Sequence, residues 1–289
     1  GNGTTTDSLV PVQVPGLTGV TAIAASGNAG YALRWDGTVW AWGYNSLGQL
    51  GNGTTTDSLV PVQVPGLTGV TAIAAGDTSG YALRRDGTVR AWGGNFFGQL
   101  GNGTTTNSLQ PVRVPGLTGV TAIAASGASG YALRRDGTVR AWGYNSHGQL
   151  GNGTTTDSLV PVPVTGLTNV RALAGNFLHA YALRGNGTLW AWGNNTQGQL
   201  GNGTTTNSSV PVPVSGTTGL VGVTAISAGF VSGYAVRQDG TAWAWGSNFL
   251  GQLGNGTTTD SSLPVPVLGL NNVRAISGSD YNGYAMVSD

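Results

Sequence analysis

The chain is poor in groups that do chemistry. It has two histidines, His147 and His179, eleven aspartates, and no cysteine, glutamate or lysine. The histidines lie in different segments, and neither has a partner at a metal-ligand spacing. Eight aspartates sit in turn contexts: Asp36, Asp86, Asp136 and Asp239 precede glycine, and Asp7, Asp57, Asp157 and Asp260 follow a Thr-Thr-Thr run. Turn chemistry accounts for them without catalysis. The recurring Gly-Asn-Gly-Thr is no phosphate loop, because it lacks a lysine and a following helix. It contains an Asn-Gly-Thr glycosylation sequon, but the need for turns explains it better. Neither an enzyme nor a cofactor is expected, and recognition is left as the chemistry on offer.

The side chains suited to recognition are aromatics at positions where otherwise near-identical segments differ. One set is Tyr44-Asn45-Ser46-Leu47, Gly94-Asn95-Phe96-Phe97, Tyr144-Asn145-Ser146-His147, Asn194-Asn195-Thr196-Gln197 and Ser247-Asn248-Phe249-Leu250. The other is Ser26-Gly27-Asn28-Ala29, Gly76-Asp77-Thr78-Ser79, Asn176-Phe177-Leu178-His179, Phe230-Val231-Ser232 and Asp280-Tyr281-Asn282. Rigid aromatics beside adaptable Asn and Ser are the composition of a paratope. The candidate protein-binding residues are Tyr44, Leu47, Asp77, Phe96, Phe97, Tyr144, His147, Phe177, His179, Phe230, Phe249 and Tyr281. The competing explanation is neutral drift in loops, with the aromatics tucked between neighbours. A secondary basic patch joins Arg85, Arg90, Arg135 and Arg140. With Arg84 and Arg134 it holds half of the 12 arginines. It suits an acidic partner, or else it is a solvated strand end whose arginine stems cover apolar sheet.

These positions are set by a repeat. Ala-Trp-Gly recurs at Trp42, Trp92, Trp142, Trp192 and Trp245, each time running on into Gly-Gln-Leu-Gly-Asn-Gly-Thr-Thr-Thr. The units are 1–50, 51–100, 101–150, 151–200, 201–253 and 254–289, the fifth with three extra residues near Gly219-Leu220-Val221 and the last incomplete. A period of this length marks stacked units that share one core. Within a unit, strand A (Val20–Ala25) is small and apolar on both faces, as in a strand buried on both sides. Strands B (Tyr31–Trp35) and C (Thr38–Trp42) flank Asp36-Gly37, a hairpin signal. As a two-residue loop, this sets Leu33 opposite Trp40 and Tyr31 opposite Trp42. Strand D (Leu9–Val14) carries Pro11 and belongs at an edge. No segment has a helical period. Four-stranded units at this spacing are propeller blades, ordered A to D from the inside out. The chain therefore reads as one all-β domain, a β-propeller of four-stranded antiparallel blades. Strands A, B and D occur six times and strand C five, one short of six full blades. The expected ring has six blades, the last closed by the N-terminal strand; the alternative is a seven-bladed ring with part missing from this chain.

Gly30, Ala32, Leu33, Gly37, Val39, Trp42, Gly43, Asn45, Gly48, Gln49, Leu50 and Gly51, with their equivalents along the whole chain, resemble the repeat of the regulator of chromosome condensation family. The resemblance implies a β-propeller, in that family usually of seven blades. The family includes a nucleotide-exchange factor for a small GTPase and secreted bacterial proteins, among them a protein inhibitor of β-lactamases. Gly/Thr/Asn-rich repeats without Lys or Glu look more like the bacterial side. The matching residues are structural, so no exchange or catalytic residue carries over.

The net charge of +1 and charged content of 8% create no global field for nucleic acid or an anionic membrane. Hydrophobic content of 39% with nine Trp argues against disorder. No apolar run reaches the length of a membrane-spanning helix. The chain opens in mid-repeat, which is compatible with a leader already removed, and an extracellular or cell-surface bacterial location is expected. The expected function is a non-enzymatic scaffold that binds another protein through the A–B and C–D loops at one end of the blades. The alternatives are a lectin or adhesin with repeated inter-blade pockets, an exchange factor for a small GTPase, and a recently amplified or engineered scaffold without a ligand.

Overall fold

The Asp-Gly pairs build a loop one residue longer than a two-residue turn. In the computed structural model, which describes residues 1–25, 27–214 and 220–288, Arg34 N–H donates to Thr38 O at 3.0 Å and Gly37 N–H to Arg34 O at 2.9 Å. Gly37 has φ 78°, the left-handed position that closes a three-residue hairpin loop. Asp36 accepts from the Thr38 N–H and hydroxyl at 3.0 and 2.6 Å. Those bonds, the hydroxyl's foremost, hold its carboxyl below the usual range. The extra loop residue corrects the expected pairing. Leu33 lies opposite Val39, Ala32 opposite Trp40 and Gly30 opposite Trp42, because one residue of slip moves every side chain to a new partner. The Trp42 ring covers Gly30 so closely that a Cβ there would sit 2.6 Å from it.

The strands form five four-stranded sheets and one two-stranded sheet among the described residues. The first runs in the order β1 (Val20–Ala25), β2 (Ala29–Arg34), β3 (Val39–Gly43), β4 (Ser58–Gln63). The second is β5 (Val70–Ala75), β6 (Ser79–Arg84), β7 (Val89–Gly93), β8 (Ser108–Arg113). The third is β9 (Val120–Ser126), β10 (Ser129–Arg134), β11 (Val139–Gly143), β12 (Ser158–Pro163). The fourth is β13 (Val170–Asn176), β14 (His179–Arg184), β15 (Leu189–Gly193), β16 (Ser208–Pro213). The fifth is β17 (Val223–Ala228), β18 (Ser232–Arg237), β19 (Ala242–Gly246), β20 (Ser261–Pro266). The pair β21 (Val273–Gly278) and β22 (Gly283–Val287) ends the series. This is the expected A–B–C–D blade order, with strand D supplied by the following unit. Pro61 and its equivalents stand on the edge strand, where a missing N–H costs no ladder bond.

Two further expectations are corrected. Leu9–Val14 forms no strand, and Leu9 is fully exposed, so 22 strands are present among the described residues instead of 23. The A strands are half-buried in the second to fifth sheets and more exposed in the first and last, not buried on both faces, and each pairs within its sheet only with a B strand. The extra residues of the fifth unit fall partly outside the described residues.

The chain divides into two compact units: Gly1–Arg135 with Trp142–Tyr144 and Asp157–Pro161, and Asp136–Ala141 with Asn145–Thr156 and Val162–Asp289. In the first, β1 neighbours β5 and β5 neighbours β9; in the second, β13 neighbours β17 and β17 neighbours β21. Adjacent blades are joined through a glutamine carbonyl. Gln49 O accepts from Tyr31 Oη and from Trp92 Nε1 of the next blade, each at 2.8 Å. The two rings meet edge-on at 6.0 Å. Tyr81 and Trp142 share Gln99 O in the same way, at 2.7 and 2.8 Å. In the second unit Tyr181 and Trp245 share Gln199 O. Every tyrosine and tryptophan of these three joints is buried, so their polar atoms need such partners.

Candidate recognition site

Within each blade the two variable loops are tied together. The first N–H of the C–D loop donates to the A–B loop: Tyr44 to Asn28 O at 2.9 Å, Gly94 to Thr78 O at 2.8 Å, Asn194 to Leu178 O and Ser247 to Val231 O at 2.9 Å. The C–D loop is then fixed from inside by a buried asparagine. Asn45 Nδ2 donates to Thr54 O and Thr56 O at 3.0 Å, and Asn45 Oδ1 accepts from Leu50 N–H at 2.8 Å. Asp57 accepts the Asn45 N–H at 2.7 Å; Asn107 and Asn207 do the same for Asn95 and Asn195. Gln49 Oε1 accepts the Leu47 N–H at 2.8 Å. These residues satisfy the loop's inward-facing backbone groups; of the side chains at the two following positions, the first is exposed in every loop and the second is exposed or half-buried.

Several of the candidate residues stand at or beside these positions. In the first compact unit Tyr44, Phe96 and Phe97 are exposed, Phe96 at 59%. Leu47 and Tyr144 are half-buried there, and Asp77 is exposed. Phe97 packs on Tyr144, centroids 4.7 Å apart, joining the C–D loops of consecutive blades. In the second compact unit Phe249 and Tyr281 are exposed and meet edge-on at 6.1 Å. His147 is half-buried, its N–H held by Gln149 Oε1 at 3.0 Å. A cavity of about 350 Å³ beside Tyr281 is lined by Tyr234, Leu250, Leu253, Ile276 and Tyr284. Phe177 and Phe230 are half-buried and stack at 4.7 Å. Phe177 has φ 36°, a strained conformation for a bulky residue.

His179 is a correction. It is 0% exposed and belongs to the interior beneath the loop, so its ring is no surface contact. It lies edge-on to Tyr181 at 5.1 Å, where other blades carry Ser79 and Ser232, each bonding its tyrosine hydroxyl at 3.1 Å. Neither ring nitrogen makes a well-aligned hydrogen bond among the described residues, although the Ser232 backbone lies close enough to favour the protonated ring. Burial pushes the imidazole down to about 4, against a weaker opposing influence of the Ser232 backbone.

The four arginines of the expected basic patch flank the B–C turns of their own blades. Arg85 and Arg135 are exposed, and Arg90 and Arg140 are half-buried. Sequence reasoning missed Arg113, which stands directly opposite Arg90. The signal was present, since the same position is Gln63, Pro163, Pro213 or Pro266 elsewhere. It also missed the exposed Trp35. Among the described residues no group of three or more His, Cys, Asp or Glu is placed to hold a metal ion, and no helix is long and apolar enough to cross a membrane.

The family model for the regulator of chromosome condensation (RCC1) repeat matches residues 36–83, 86–133, 136–177, 186–230 and 239–285. A second model of that repeat matches 20–49, 70–99, 120–149, 170–199 and 223–252. No curated protein matches the sequence. Among solved structures, human WBSCR16 is similar at 25% identity and TM-score 0.82, over 93% of this chain and 72% of that one. Prp20p from Saccharomyces cerevisiae, described with its binding properties to Gsp1p and histones, is similar at 24% identity and TM-score 0.80, over 93% of this chain and 69% of that one. Yeast RCC1 (Prp20) bound to Kap60 is similar at 23% identity and TM-score 0.81, over 93% and 67%.

Proposed function

The chain belongs to the regulator of chromosome condensation repeat family of β-propellers, and from that premise we propose that it is a non-enzymatic scaffold that recognises another protein through its A–B and C–D loops. One observation carries the reading. Buried asparagines, glutamines and Asp57-type residues fix the C–D backbone in every blade, while the residues they hold outward differ: Ser46 and Leu47, Phe96 and Phe97, Ser146 and His147, Thr196 and Gln197, Phe249 and Leu250. Constant backbone with changing side chains is how a rigid scaffold presents a binding surface. The aromatic anchors are Tyr44, Phe96, Phe97, Phe249 and Tyr281, backed by Tyr144, Phe177 and Phe230. The likeness to Prp20 is a likeness of fold and supplies no exchange residue.

A lectin reading draws on one recurrent feature. Thr68, Gly69, Arg84, Arg85 and Asp86 line a recess of about 300 Å³, and Val221, Gly222, Arg237, Gln238 and Asp239 line its counterpart of about 340 Å³. Both lack an aromatic platform, and their Arg and Asp already pair with each other, which favours the protein-binding reading. The test is affinity capture from culture medium and cell extract with the native chain and with a chain carrying Phe96→Ser, Phe97→Leu and Phe249→Ser, the residues the first blade has at those positions. A protein retained by the native chain alone is the expected result. Equal retention by both chains, or retention of glycan only, overturns the assignment.

A further inference from the structure

One row of side chains across the blades changes character in a way the fold does not require. In the fourth blade the row is Arg184, Trp190 and Pro213: Trp190 lies opposite Pro213, and the Arg184 guanidinium sits over the Trp190 ring at 4.7 Å. The fifth repeats it with Arg237, Trp243 and Pro266, the cation 6.0 Å from the ring. The first has Arg34, Trp40 and Gln63. In the second blade the same three positions are Arg84, Arg90 and Arg113. Arg90 stands directly opposite Arg113 on β7 and β8. It also stands opposite Ala82 on β6, which makes Arg84, two residues further on, its diagonal neighbour on the same face, the relation in which Arg184 meets Trp190.

Directly opposed like charges destabilise a sheet, and their Cβ atoms lie only about 5 Å apart. Arg84 is partly compensated by Thr68 O at 3.0 Å and Asp86 at 3.4 Å. Arg90 and Arg113 have no hydrogen-bond or ion-pair partner among the described residues. Three guanidiniums and one carboxylate leave two positive charges on a single sheet face. Arg90 is half-buried, so its charge is screened less than an exposed one. Arg34, Arg171, Arg184 and Arg237 are engaged, with Thr18 O and Asp36, with Val223 O, with Gly166 O and Trp190, and with Val221 O and Asp239. Arg85, Arg135, Arg140 and Arg274 have no such partner among the described residues, but what sets Arg90 and Arg113 apart is that they stand directly opposite one another.

We propose that Arg84, Arg90 and Arg113 form a binding site for a doubly charged oxyanion, a phosphate or sulfate group, free or carried as an ester. A dianion matches the uncompensated charge, where a single carboxylate would leave half of it. Its oxygens accept paired N–H bonds from guanidinium forks, and Arg90 and Arg113 stand opposite one another on adjacent strands. The site lies toward the B–C turn, away from the loop at Phe96 and Phe97, and does not depend on the function proposed above.

The test measures melting temperature and calorimetric binding of the full chain with inorganic phosphate, inorganic sulfate and phenyl phosphate, against chloride at matched ionic strength. The native chain is expected to show a saturable rise in melting temperature with each dianion. The pair Arg90→Trp and Arg113→Gln, which installs the first blade's residues, is expected to melt higher in chloride and to weaken dianion binding by about tenfold or more. Arg274→Gln, on another blade, leaves binding intact. Phenyl phosphate binding as well as phosphate assigns an ester-borne group, and binding of the inorganic ions alone assigns a free anion. A dianion response no greater than chloride's, or one equal in native and substituted chains, overturns the site. Arg113→Gln alone, at an exposed position, keeps the test valid if the pair does not fold.

Discussion

Replacing His179 by the serine found at the same place in other blades should remove an acid sensitivity from the fold. The imidazole is fully buried with neither nitrogen in a well-aligned hydrogen bond among the described residues, and burial pulls it from 6.5 down to about 4. The unfolded chain therefore binds a proton between these values and the folded chain does not. The neutral ring's contribution is complete above pH 6.5 and falls away as the pH drops toward 4. At about 1.36 kcal/mol per pH unit, the loss approaches roughly 3 kcal/mol at the acid limit and about 2 kcal/mol at pH 5. Urea unfolding of the native chain and of His179→Ser at pH 7.5, 6.5, 5.5 and 5 checks this. The gap in unfolding free energy between the two should shift in favour of serine by about 2 kcal/mol from pH 7.5 to pH 5. His147 and the aspartates are common to both proteins and cancel in the difference. Parallel pH dependences, with a gap constant to within about 0.5 kcal/mol, would refute the assignment of a buried neutral ring.

Trp142→Phe removes the 2.8 Å bond to Gln99 O while leaving Tyr81 on that carbonyl; a loss of about 1–2 kcal/mol in urea unfolding is expected. Asn195→Ala leaves Thr204 O, Thr206 O and Leu200 N–H without their inward partner. It should cost about 3–5 kcal/mol, and hydrogen exchange should show lost protection from Leu200 to Thr206.

The repeat, the blade order and the edge placement of the proline strand were legible because each rests on local chemistry repeated five or six times. The hairpin register was not. Asp36-Gly37 fits a two-residue loop or a three-residue loop closed by glycine at positive φ, and only the Arg34–Thr38 pairing distinguishes them. The inter-blade joint was hidden for another reason: Trp92 finds Gln49 O across 43 residues, through a backbone atom that any residue would supply. Aromatics in the variable loops stood out as departures from near-copies, and most of them are exposed or half-buried. His179 looked the same by that criterion. Its position differs in kind, because it opens β14 and shares the site where Ser79 and Ser232 bond a buried tyrosine. Loop membership in sequence does not separate a residue at the loop's tip from one at its root.

That distinction separates two kinds of variable loop. In the C–D loops the stabilising bonds run through Asn45, Gln49, Asp57 and their equivalents, and the side chains at Ser46 and Leu47 carry none of them. Surface side chains outside such networks usually change stability by no more than about 0.5 kcal/mol. Those positions can therefore alternate between serine, threonine and phenylalanine while the blade stays intact, and on the function proposed above recognition can diverge there at little folding cost. The A–B loop of the fourth blade is built differently. Phe177 holds a left-handed backbone while stacked on Phe230, and His179 beneath it occupies the core without a well-aligned polar partner among the described residues. Strain and an unsatisfied buried group persist only where surrounding contacts enforce them. A substitution at Phe177 or His179 therefore changes the fold's energy along with any surface it presents, whereas on the function proposed above the C–D loops are where binding is altered by itself.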